Sequence, residues 1–463
     1  MRVTDPGRGW SDGLLEAGLG SERAATAMSW TTRIARMLDV EVALARVQQR
    51  RGLITADQAE AIADGCDPDR VDLTGLAAEA ATSASPVIAL LAQVRPLLSE
   101  DARAVLHLGA TSQDIVDSAT MLQLRDAFDV LEGDLLEIAA RCAVLADEHR
   151  GTVMPGRTLK QQAVPITFGL VAARWLAAID RRVSHLRLSR PRVLVVQLGG
   201  AAGTLGSFPG QGPELVADLA AELGLDSPEL PWHAERDRIV EVVGVLAGIN
   251  TVVSKQARDI VDLSATEVGE VITAPRNGPG SSAMPHKGRN PVDAMAARAA
   301  ARLSAGELSV LMSAAGEHEH ERAAGAWQAE WVALPSAVVR VAGAVERLSA
   351  AIEVLQVDGE RGRRNLTANL GLTSSEHLAG ALAGELGRPA AQALVGELAA
   401  RALQEHRALG DVAAADEKVL ALLSADQVRE VCDPGATLGN VDAFIDRAIH
   451  AHRTLVSDNE VDA

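Results

Sequence analysis

DRIVEVVGVLAGINTVVSKQARDIVDLSATEVGEVI, residues 237–272, is the stretch that decides the architecture. Within it Ile239, Val242, Val243, Leu246, Ile249, Val253, Ala257, Ile260 and Leu263 recur at three- and four-residue steps. That spacing lays apolar side chains along one face of an α-helix. At 1.5 Å per residue the helix would be about 50 Å long. One compact domain does not need such a helix, and the excess predicts packing against other subunits.

Outward from this stretch the pattern repeats. A second apolar helical run follows Pro165 (Phe168, Leu170, Val171, Trp175, Leu176, Ile179), and an alanine-rich third extends from Val292 to about Ala315. The periodicity breaks near residue 355 at Val357-Asp-Gly-Glu-Arg-Gly362 and shorter helices follow; the first hundred residues also read as short helices. These breaks predict an N-terminal helical domain over 1–110, a central long-helix bundle over 111–355 and a C-terminal helical domain over 356–463. Composition agrees with an all-α fold: 48% hydrophobic residues with only 2% aromatic leave a core of Ala, Leu and Val, of which Ala and Leu are good helix formers.

The formal charge of −18 argues against a nucleic-acid partner, since phosphate binding needs a basic footprint. Cys66, Cys142 and Cys432 are odd in number and widely spaced, which supports neither a disulfide framework nor a zinc site. The uncharged run Val193 to Pro213 is long, but its glycines and prolines would strand backbone groups in lipid. No signal-peptide pattern opens the chain, so the expected location is the cytoplasm. No metal or organic cofactor is expected, and the glycines at 199–203 are a weak dinucleotide signal because no strand precedes them and no helix follows as required.

The chemistry concentrates in Gly278-Pro-Gly-Ser-Ser-Ala-Met-Pro-His-Lys-Gly-Arg-Asn-Pro291. Its glycines and prolines between two long helices describe a loop, and two hydroxyls, a lysine and an amide sit on it within ten residues. Such a loop can exclude solvent around a serine and stabilise its alkoxide with a nearby cation. A second segment, His107-Leu-Gly-Ala-Thr-Ser-Gln-Asp114, puts hydroxyls and an amide ahead of a helix, where a carboxylate can bind.

These segments resemble the conserved blocks of the aspartase/fumarase superfamily. The resemblance implies that Ser281 takes the proton from the carbon next to a carboxylate, with Lys287 and Asn290 holding the aci-carboxylate dianion. Gly288 looks inserted, since family members have one residue between that lysine and asparagine. Thr111, Ser112 and Gln113 inherit the binding of substrate carboxylates, and His107 is a candidate polar contact. Gly156-Arg-Thr-Leu-Lys-Gln-Gln-Ala-Val-Pro165 matches a third block, with Thr158 and Gln161 as substrate contacts and Lys160 as an added cation. Leu159 stands where the family has a histidine that serves as general acid or its orienter, which favours a weakly basic leaving group such as a carboxylate or nitrite.

Five further segments, Gln197 to Leu205, Pro231 to Ile239, Thr266 to Glu270, Glu319 to Trp331 and Asp433 to Gly439, narrow the resemblance to the branch of bacterial 3-carboxy-cis,cis-muconate cycloisomerases. By the same resemblance Arg238 would help bind a substrate carboxylate, with His233 and Arg322 as weaker candidates. The resemblance also implies a small polycarboxylate substrate and a homotetramer whose active sites gather blocks from three subunits. Two alternatives stand beside cycloisomerisation: elimination from a substituted succinate, for example nitrosuccinate to fumarate and nitrite, and a bundle protein without catalysis.

Overall fold

Helix-forming composition is realised almost everywhere. In the computed structural model, which describes residues 18–273, 282–284, 290–436 and 438–462, regular structure is helical apart from two two-stranded ribbons. The elements that matter for function are α1 (Trp30–Arg50), α2 (Ser112–Glu148), β1 (Val153–Thr158), β2 (Gln161–Thr167), α3 (Phe168–Val193), α4 (Asp237–Leu263), β3 (Val271–Thr273), α5 (Val292–Ala315), α6 (Ala326–Glu353), β4 (Leu355–Val357) and α7 (Gly359–Ala368).

The helix expected over 237–272 is α4, and it ends at Leu263. Its apolar positions are the buried ones, among them Ile239, Val242, Leu246, Ile249, Val253 and Ile260. At 27 residues it is about 40 Å long. The missing turns are a reversal over 264–270. There the Glu270 N–H returns to the Leu263 carbonyl, Gly269 takes φ +62°, and the Arg361 side chain donates to the carbonyls of Thr266, Glu267 and Val268. The chain then leaves as β3, antiparallel to β4.

The chain divides into two compact units. Of the described residues, one comprises those within Met1–Leu135, Arg182–Ser254 and Ala296–Arg347, the other those within Leu136–Arg181, Lys255–Met295 and Leu348–Ala463. Helices α2 to α6 each contribute to both, so each unit is assembled from segments distant in sequence. In the first unit α2 buries Ile115, Val116, Leu122, Leu124 and Phe128, each worth about 1.5–3 kcal/mol on transfer from water. In the second, the short helices of the C-terminal stretch close a core of their own around Leu378, Leu382, Leu398, Leu409, Val412 and Val428.

Also in the second unit, β1 and β2 form a hairpin whose tip is Leu159-Lys160. Both residues have positive φ, 51° and 68°, between the paired Thr158 and Gln161, as a tight two-residue turn of the primed kind requires. Lys160 is therefore a hairpin-tip residue. A register shift between Pro155 and Arg157 falls at Gly156, where a Cβ would lie 2.9 Å from the Val164 carbonyl oxygen.

Candidate active site

The block 107–114 forms the turn into α2. Thr111 precedes the first helical residue, Ser112, and the Asp114 carboxylate reaches back to accept the Thr111 N–H at 2.9 Å, the returning half of a capping box. The same carboxylate accepts the N–H groups of Gly199 and Gly200, both at 2.9 Å, and lies 2.6 Å from His233 Nε2. A single buried side chain thus ties together the 107–112 turn, the glycine loop and the loop before α4. Arg322 closes the arrangement from outside. Its guanidinium donates to Thr111 Oγ1 at 2.7 Å and to the Ala201 carbonyl at 3.0 Å, and it pairs with no carboxylate among the described residues.

Beneath this surface lies a buried charged network. Arg236 donates to Asp117 (2.6 Å) and to Glu330, and all three side chains are almost wholly excluded from solvent. Burial pulls the Arg236 guanidinium down, and the two carboxylates more than offset it, leaving its pKa raised. Trp327 Nε1 and Gln113 Nε2 also donate to Asp117, at 3.0 and 3.1 Å, and His318 Nε2 lies 3.2 Å from Glu330. Gln113 Nε2 further donates to the His233 carbonyl at 2.8 Å. The Gln113 side chain is turned into this interior, while Thr111 and Ser112 remain partly exposed.

His107 sits four residues before Thr111 with φ +65°. Its Nδ1 is 2.6 Å from Glu41 Oε1 on α1, and seven residues further along α1 Gln48 donates to the Leu108 carbonyl at 2.8 Å. Burial lowers the affinity of the His107 ring for a proton, but the hydrogen bond and charge of Glu41, with help from Asp114, leave its pKa raised.

In the second unit Thr158, Lys160 and Gln161 are exposed at the hairpin tip, and Leu159, in the place of the family histidine, is 97% exposed. Lys160 is ion-paired with Asp262. Arg157 makes a two-pronged contact with the buried Glu270 (2.8 and 2.6 Å), which also accepts from Asn365 at 2.7 Å. Asn290 lies at the start of α5, its carbonyl accepting the Val292 N–H. Ser282 is described, its hydroxyl accepting the Met284 N–H at 3.2 Å. Ser281 and Lys287 lie outside the described residues.

The structure therefore brings His107, Thr111, Ser112, Gln113, His233 and Arg322 together in the first unit, and places Thr158, Lys160, Gln161 and Asn290 in the second. Arg238 is also in the first unit, occupied by the Arg192 carbonyl and by Glu229 at 3.3 Å. Sequence reasoning passed over Glu41, Asp114, Asp117, Arg236 and Glu330. For Glu41 a signal existed: Met37, Glu41, Leu44 and Gln48 fall on one helical stripe, so two polar residues interrupt a buried face. Among the described residues no group of three or more His, Cys, Asp or Glu is placed to hold a metal ion.

Comparison with known proteins adds identity to geometry. Residues 21–304 match the model of a family described as Lyase, and residues 371–448 one described as Adenylosuccinate lyase C-terminus. The chain is 42% identical to a 3-carboxy-cis,cis-muconate cycloisomerase of Pseudomonas aeruginosa, over 91% of this chain and 93% of that one. It is 38% identical to a nitrosuccinate lyase of Streptomyces davaonensis, over 94% and 93%. Among solved structures, the 3-carboxy-cis,cis-muconate lactonizing enzyme of Pseudomonas putida superposes with a TM-score of 0.90 at 37% identity, covering 96% of this chain and 99% of the other.

Proposed function

The chain belongs to the aspartase/fumarase superfamily of lyases, and from that premise we propose that it interconverts 3-carboxy-cis,cis-muconate and its lactone. The observation that carries this reading is the 42% identity to a cycloisomerase along nine-tenths of the chain. Leu159 supports it: an apolar residue at the hairpin tip suits a reaction whose leaving group in the eliminating direction is a carboxylate, which needs no proton.

In the lactonising direction a substrate carboxylate oxygen adds to a double bond. The electron pair passes to the carbon beside another carboxylate, giving an aci-carboxylate, and that carbon then takes a proton. In reverse, Ser281 removes that proton and the ring oxygen leaves as carboxylate. Lys287 and Asn290 supply the preorganised positive charge and hydrogen bond that stabilise the dianion, an effect worth about 3–4 kcal/mol per well-placed donor. Thr111 and Ser112 bind a carboxylate at the start of α2, with Gln113 fixing that start from within, and Thr158, Lys160 and Gln161 complete the recognition. Arg238 and His107 add polar contacts. The working enzyme is a cytoplasmic homotetramer with sites shared between subunits.

A second reading has support of its own. The nitrosuccinate lyase relative is 38% identical, and nitrite is also a weakly basic leaving group. Ultraviolet assays with 3-carboxy-cis,cis-muconate and, separately, with nitrosuccinate and other 2-substituted succinates decide between them. Rapid loss of muconate absorbance supports the cycloisomerase; fumarate formed only from a substituted succinate replaces it with the lyase.

A further inference from the structure

The pairing of His107 with Glu41 reaches beyond the contacts that a carboxylate-binding turn needs. Glu41 projects from the buried stripe of α1, its side chain only 1% exposed, and Oε1 is 2.6 Å from His107 Nδ1. Its other oxygen, Oε2, is buried with no hydrogen-bond partner among the described residues. A buried carboxylate left with one oxygen unsatisfied is costly unless a cation balances it. The only side chain that bonds it among the described residues is His107. Gln48, from the same stripe, holds the next residue's carbonyl, so α1 grips both the ring and the backbone of the turn that leads to Thr111.

We propose that Glu41 is a positioning residue for this site, acting through His107: it occupies Nδ1 and leaves Nε2–H as the donor offered to a substrate carboxylate beside Thr111 and Ser112. The inference rests on the carboxylate-binding role given to this turn above. Its chemistry follows from the two ring nitrogens. With Nδ1–H committed to Glu41, a neutral ring has an acceptor at Nε2, which repels a carboxylate; the doubly protonated ring has a charged donor there. The groups acting on that charge are Glu41 from α1 and Asp114 from α2, which favour it, and Arg95, which opposes it together with burial. Arg322 at Thr111 is a permanent cation beside the same turn, whereas His107 makes part of the binding pH-dependent.

Two readouts test this, one of them independent of turnover. Carbethoxylation of His107, followed peptide by peptide by mass spectrometry across pH, reports the fraction of unprotonated ring. Glu41→Gln should move the midpoint down by about one pH unit or more, and Glu41→Asp by less. Succinate should protect His107 in the parent protein and not in Glu41→Gln. In steady-state assays with 3-carboxy-cis,cis-muconate, Glu41→Gln should raise KM about tenfold near neutral pH with kcat changed less than about threefold, the pattern of lost binding. Equal midpoints, or an unchanged KM with a shifted midpoint, overturn the proposal. If the parent protein does not turn over the muconate, the proposed reaction fails while labelling and succinate protection still decide the role of Glu41. If Glu41→Gln does not fold, Glu41→Asp carries the same comparison.

Discussion

Asp114 and Arg236 show what single residues do here. Each is buried and charged: Asp114 binds groups from the glycine loop and the loop before α4, and Arg236, on that loop, binds carboxylates on α2 and α6, so each fixes several segments in one arrangement. Removing one member of a buried charged cluster leaves the others uncompensated, at a cost of about 3–5 kcal/mol. Arg236→Leu should therefore lower the free energy of denaturant unfolding by about that amount, as read from the midpoint at constant slope. A loss below about 1 kcal/mol would mean that Asp117 and Glu330 are adequately satisfied without the guanidinium. The sequence offered Thr111 and Ser112 as candidate site residues because their block resembles a family pattern. It did not show Asp114 as the tie between loops, because its glycine and histidine partners are about 85 and 119 positions away along the chain. Gln113 was legible as a residue of the block but not as one facing inward, since its direction is set by Asp117 and the His233 carbonyl.

Elements differ in how openly the sequence announces them, and burial explains the difference. Helix α4 has one apolar face and a polar one, so its period is visible in residues 237–263. Helix α2, at 37 residues, is longer but was legible only at its start. Its first turns are buried on every side, with Gln113, Asp114, Asp117, Ser118 and Gln123 inside alongside Ile115, Val116 and Leu122, and a helix buried all round carries no stripe. The hairpin β1–β2 was missed because its turn is Leu159-Lys160, without the Asn or Gly that ordinarily marks positive φ. The turn before α2 yields a sharper test. Gly109 has φ +74°, and a Cβ there would lie 2.1 Å from a Phe208 ring carbon. Gly109→Ala should lower both Tm and kcat/KM, because the turn carrying His107 and Thr111 must shift. Gly244→Ala, on α4 with nothing within 4 Å of its Cβ position, should leave Tm equal or higher. Equal effects from both substitutions would show that the packing of Phe208 against this turn does not hold it.

At the scale of the whole molecule, the long helices, the family match and a TM-score of 0.90 to a lactonizing enzyme agree on the fold. Helix α4 is long and apolar enough to cross a membrane by length and composition, yet its Ile239, Val242, Leu246, Val253 and Ile260 are spent on burial within the chain. Exposed apolar side chains remain on α5, among them Met295, Leu303, Val310 and Met312, in keeping with the proposed homotetramer. If its sites draw on different subunits, Thr158→Val and Ser281→Ala proteins, each poorly active, should regain activity when mixed under conditions that exchange subunits. Hybrids in which one site receives both intact residues would account for the gain, and no recovery despite demonstrated exchange would place both residues of each site on one chain.

In the proposed mechanism Ser281 is the base that removes a proton beside a carboxylate. The most direct test is the turnover of Ser281→Ala with 3-carboxy-cis,cis-muconate, measured beside the parent protein at matched circular dichroism and oligomeric state. A general base typically contributes about 10²–10⁴-fold, so kcat should fall by at least about a hundredfold while the fold is unchanged. Undiminished turnover in a folded Ser281→Ala protein would rule out Ser281 as the base and assign the proton to another residue.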